Sequence, residues 1–113
     1  MARKLLAVMA AGGVAGVLAV PALAATKTVK IGDNYYGRKG TSPTVTIHKG
    51  DKVKWVWVGK KDHNVYQIGG PGHFHSPTHK GSGATFTHKF KVKGTYKFQC
   101  TYHADQHMKV KVT

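Results

Sequence analysis

The run Val45-Thr46-Ile47-His48-Lys49-Gly50-Asp51-Lys52-Val53-Lys54-Trp55-Val56-Trp57 decides the fold. Val45 and Ile47 alternate with Thr46, and Gly50-Asp51 marks a turn. Val53, Trp55 and Trp57 then share one parity, and Lys52, Lys54 and Val56 share the other. Side chains two apart stand on the same face of a strand, so the run reads as two strands with an apolar inner face.

The same alternation continues on both sides. Upstream, Val29 and Ile31 flank Lys30. After the Gly59-Lys60-Lys61-Asp62 turn, a short strand is expected from His63 to Ile68. Gly69 to Gly83 holds five glycines and two prolines and reads as a long loop. Ala84, Phe86, His88 and Phe90 face one way, with Thr85, Thr87, Lys89 and Lys91 opposite. Lys93-Gly94 turns the chain into Tyr96, Phe98 and Cys100, and a last strand sets Met108, Val110 and Val112 inward. No helical periodicity follows Ala25. About seven to eight short strands with Gly- and Pro-marked turns predict an all-β fold, a small antiparallel Greek-key sandwich or barrel.

The N-terminus has a different character. Arg3 and Lys4 precede an uncharged run, Leu5 to Val20, and Pro21-Ala22-Leu23-Ala24 ends in a small-x-small pattern. This predicts a signal peptide over 1–24, cleaved after Ala24, and a single domain over 25–113. The rival reading is an uncleaved anchor over Leu5 to Ala25. Export to a periplasm, cell envelope or extracellular space follows from the first.

Eighteen Lys and Arg stand against four Asp and no Glu in the 113 residues. Such a surface keeps a protein soluble and draws it to anionic partners: an acidic redox protein, an anionic membrane face or a cell-wall polymer. Nucleic acid is not indicated, since 25–113 carries one arginine, Arg38, and no recognition motif. A monomer is expected.

Cys100 is the only cysteine, so no intramolecular disulfide can reinforce this small domain. It opens Cys100-Thr101-Tyr102-His103-Ala104-Asp105-Gln106-His107-Met108, where a thiol, an imidazole and a thioether fall within nine residues. Strand parity aims both sulfurs inward from the two ends of one loop. Soft and borderline donors gathered in this way point to a metal.

The Cys-x-x-His-x-x-x-x-Met spacing, with His63-Asn64-Val65 upstream, resembles the plastocyanin-like cupredoxins. Val45 to Trp55 resembles the family's V-x-I-x-x-G-D-x-V-x-W stretch. Phe86-Thr87-His88-Lys89-Phe90 with Gly94-Thr95-Tyr96 resembles its run into the ligand cysteine. The resemblance implies that His63, Cys100, His103 and Met108 bind one type 1 copper ion cycling between Cu(I) and Cu(II), a set that serves both oxidation states. It further implies a one-electron carrier, not an enzyme, exchanging electrons through the ring edge of His103. Pro71, Phe74 or Tyr102 would then supply an apolar docking surface. Two departures stand out: Tyr102 occupies a position where the family often has Pro, and His107 adds an imidazole that parity sends outward.

Other readings remain open. The domain is alternatively a copper-delivery protein, and His and Cys also suit zinc. A Cys100–His103 nucleophilic pair would lack an orienting acid. His73, His75 and His79 crowd the long loop, as solvated residues or as a weak second site. His88 reads as a hydrogen-bonded core residue, Trp55 and Trp57 as core, and Asn64 as a brace for the site.

Overall fold

The computed structural model describes residues 23–113. The signal peptide expected over 1–24, and the rival anchor, therefore fall almost wholly outside the described residues. All regular structure among the described residues is strand: β1 (Thr26–Gly32), β2 (Tyr35–Tyr36), β3 (Thr44–Ile47), β4 (Lys52–Trp57), β5 (Asp62–His63), β6 (Tyr66–Gly69), β7 (His79–Lys80), β8 (Thr85–Lys89), β9 (Gly94–Cys100) and β10 (His103–Val112).

These strands form a β-sandwich. One sheet runs β2-β1-β4-β8, the other β3-β10-β9-β6, and β5 pairs with β7 in a small third sheet. The alternation becomes burial directly. Val53, Trp55 and Trp57 are buried on β4 while Lys52 and Lys54 are exposed. On β9, Tyr96, Phe98 and Cys100 are buried in the same way. Between the sheets the Trp55 ring meets the edge of Phe98, with centroids 5.4 Å apart, and Phe90 packs beside it at 6.4 Å. Large aromatic rings supply the apolar area that a domain of this size needs in order to hold together.

Two features differ from expectation. Each main sheet contains one parallel pair, β1 with β4 and β3 with β10, beside its antiparallel pairs. Period-two patterning reports which face a residue occupies, not the direction of the neighbouring strand, so it is silent on this point. The long Gly69–Gly83 segment is also more ordered than its composition implies. Buried Gln67 donates to the carbonyls of Gly69 and Pro71 and accepts from the Phe74 N–H, and Ser76 Oγ accepts from the Val65 N–H. The segment returns as β7, which pairs His79 with His63.

Two contacts place the site end of the sandwich. Trp57 Nε1 donates to the His63 carbonyl at 2.9 Å, fixing β5 over the buried indole. Tyr36 Oη donates to the Asn64 carbonyl at 2.5 Å, and burial pushes its phenol far above the ordinary tyrosine range. The turn carrying His63 is thus anchored to the core from two sides.

Candidate metal centre

Cys100 is the last residue of β9 and His103 the first of β10, and the two are directly paired. His63 closes β5. Three different elements therefore deliver one donor each to one end of the sandwich. Cys100 and His63 are fully buried and His103 is partly exposed. Cys100 Sγ lies 3.9 Å from His63 Nδ1 and 3.6 Å from His103 Nδ1, and the two imidazole rings are 4.8 Å apart, centre to centre. Among the described residues this is the one place where three His, Cys, Asp or Glu side chains gather closely enough to hold a metal ion, their donor atoms lying within 4.8 Å of one another.

The frame around these donors is rigid. Asn64, next to His63, exchanges two hydrogen bonds with Thr101, next to Cys100: Nδ2 to Thr101 Oγ1 and Thr101 N–H to Oδ1, both 2.9 Å. The brace expected of Asn64 is this reciprocal pair, which stitches the two donor-bearing segments together. Desolvation, then the neighbouring His63, pushes His103 below the ordinary histidine pKa and favours the neutral, ligating imidazole.

The fourth residue expected at the site lies elsewhere. Met108 is opposite Phe98, two residues along β9 from Cys100, and its Sδ accepts the Trp55 indole N–H at 3.4 Å in the core. The side chain that reaches His63 is Gln106, fully buried, with Oε1 2.8 Å from His63 Nδ1. A second unforeseen residue, Asp33, stands on the other side of the same ring, with Oδ1 2.7 Å from Nε2. Asp33 also accepts the N–H groups of Lys60 and Lys61. The His63 hydrogen bond, then the backbone donors, lowers its pKa to about 2. Gln106 had one signal in the sequence: it shares inward parity with Met108, and a polar side chain there needs a partner. Asp33, in a turn 30 residues before His63, gave none.

The other histidines stay apart. His107 is exposed and bonds Ser42 through Nδ1. His73 and His75 pack around Tyr66, and His79 sits edge-on to Trp57. They do not assemble a second three-residue metal cluster among the described residues. His88 is held by stacking on Phe74 at 3.7 Å, and burial lowers its pKa. Of the expected docking residues, Tyr102 is beside the site and half exposed, whereas Pro71 packs on Gly94 at the far end of β9.

One thiol and two imidazoles, none replaced by a carboxylate, suit copper in both of its common oxidation states. The comparisons with known proteins agree. Residues 29–113 match the model of the copper-binding proteins of the plastocyanin/azurin family. Among solved structures, a purple cupredoxin from Nitrosopumilus maritimus superposes with a TM-score of 0.64 at 24% identity, over 77% of this chain and 99% of that one. A reduced amicyanin variant superposes at 0.65 with 27% identity, over 78% and 82%. A methionine-to-glutamine variant of amicyanin, in a Cu(I) structure, gives 0.66 with 27% identity over the same shares. With the fold, the donor set and the family model in agreement, this chain belongs to the plastocyanin/azurin family of copper-binding proteins, and its cofactor is one copper ion.

Proposed function

We propose that this protein is an exported one-electron carrier, its copper held by His63, Cys100 and His103. The observation that carries the reading is the stiffness of the site. Its three donors come from three elements that are cross-tied by Asn64 and Thr101 and anchored by Trp57 and Tyr36. Copper bound there supplies the Cu(I)/Cu(II) couple. The residues supply a frame that has little room to rearrange between the two states, which is what rapid electron exchange requires.

His103 is the ligand nearest solvent, and half-exposed Tyr102 beside it gives the mouth of the site an apolar contact. The excess of lysine would steer the domain to an acidic redox partner. An enzymatic role for the thiol is disfavoured because Cys100 is fully buried and offers no approach to an electrophile. Export rests on the Arg3-Lys4, Leu5–Val20 and Ala22-x-Ala24 pattern.

The test is the visible spectrum on adding Cu(II). An intense thiolate-to-copper band that disappears in Cys100→Ser is expected, together with reversible voltammetry and fast electron exchange. A colourless protein that prefers zinc overturns the copper centre. Slow exchange with rapid surrender of copper to a chelator makes the protein a copper carrier instead.

A further inference from the structure

Gln106 is an unusual residue to find fully buried at one end of an apolar sandwich. Its carboxamide orientation is fixed by its partners. Nε2 donates to the Gly32 carbonyl at 2.9 Å and to the Tyr35 carbonyl at 2.7 Å, so both amide hydrogens are spent on the β1–β2 turn. Oε1 must then face the other way, and there it meets His63 Nδ1 at 2.8 Å.

The other nitrogen of His63 is also committed. Nε2 faces the Asp33 carboxylate, an acceptor, and so carries its proton toward Asp33. In the neutral ring Nδ1 is consequently a lone pair, and it points at another lone pair on Oε1. Two acceptors at hydrogen-bond distance repel unless a cation joins them. With Cys100 Sγ 3.9 Å from the same Nδ1, the cation-seeking atoms here are a nitrogen, a sulfur and an amide oxygen. Met108 is occupied elsewhere: its sulfur accepts the Trp55 indole N–H, and its place on β10 is opposite Phe98.

We propose that Gln106, through Oε1, supplies the axial ligand of the copper site, and that Met108 is a core residue. The inference rests on the copper reading above. An amide oxygen is a harder donor than a thioether and favours Cu(II) over Cu(I), so this chain poises its copper at a lower potential than a methionine-ligated site on the same scaffold. It also gives the β1–β2 turn a part in the site, since the carbonyls of Gly32 and Tyr35 aim the ligand.

The experiment uses the whole chain loaded with Cu(II), first with all methionines replaced by selenomethionine and then as Gln106→Met. Selenium at position 108 is expected to leave the visible and EPR spectra and the potential unchanged, with no selenium neighbour in copper-edge X-ray absorption. Gln106→Met is expected to shift the Cu(I)/Cu(II) balance toward Cu(I) about tenfold or more, roughly 59 mV for one electron. A selenium neighbour at copper overturns the assignment, as does a folded Gln106→Met protein with unchanged potential. Should that variant fail to fold, Gln106→Glu is read by EPR instead: a changed copper signal is expected, and a signal identical to that of the unaltered protein overturns the assignment. If the unaltered protein shows no thiolate-to-copper band, the copper reading itself fails, separately from the axial assignment.

Discussion

Asp33 shows how a single carboxylate can govern a candidate metal donor it does not replace. By accepting from His63 Nε2 it fixes the tautomer that leaves Nδ1 for metal, and by accepting from Lys60 and Lys61 it holds the turn leading into β5. Gly59 is required beside it, because a Cβ there would lie 2.5 Å from Asp33 Oδ1. Outer partners of metal-bound histidines typically carry a tenfold to hundredfold effect on affinity. Asp33→Asn keeps an acceptor oxygen for the backbone amides but removes the charge that polarises the imidazole. Copper affinity, measured by competition with a chelator, should fall by about 10- to 100-fold, and the metal-free protein should lose some stability at neutral pH, because the lowered pKa of Asp33 is itself a contribution to folding. Equal affinity in the two proteins would reduce Asp33 to a turn residue.

At the scale of elements, parity was legible wherever apolar and charged residues alternate without interruption. Val53, Trp55 and Trp57, like Tyr96, Phe98 and Cys100, are buried as their spacing predicts. Legibility fails where strands lose register. The β9–β10 ladder is irregular between His103 and His107, so counting along the loop cannot say which of the inward residues Gln106 and Met108 stands at the level of Cys100. Asp33 escaped for another reason: its contact with His63 depends on how β1 and β5 come together, which no local pattern encodes.

The β3–β4 turn provides a testable element of its own. Asp51 accepts from the N–H of Ala25 through Oδ1 at 2.9 Å and from the N–H of His48 through Oδ2 at 3.0 Å, clamping the start of β1 to this turn. Those two bonds hold its pKa below the ordinary carboxylate range. A group whose folded pKa is depressed lends stability that is present above its unfolded pKa and lost as pH falls through the folded one. Wild type should therefore exceed Asp51→Asn in stability at neutral pH, and the gap should narrow below about pH 4. Urea unfolding at a series of pH values checks this; a constant gap down to pH 2 would sink it.

Across the whole molecule the lysines are arranged against stability as well as for solubility. On the outer face of one sheet Lys52 stands directly opposite Lys89, and on the other Lys97 stands opposite Lys109. All four are exposed, and like charges directly across a ladder repel. Few acids offset them. Of the four aspartates, Asp33 and Asp51 are committed to backbone amides and His63, leaving Asp62 and Asp105. A fold carrying this much unbalanced charge pays in self-repulsion, and salt relieves it, since the screening length falls from about 30 Å at 0.01 M to about 8 Å at 0.15 M. The melting temperature of the metal-free protein should accordingly rise between those two salt concentrations. Lys97→Glu, which turns one repulsive pair into an attractive one, should stabilise by about 0.2–1 kcal/mol at low salt, with a smaller gain at high salt. A melting temperature that falls as salt is added, or a Lys97→Glu effect independent of salt, would show that these cross-strand lysines do not repel appreciably, and the cationic surface would then carry no cost to the fold.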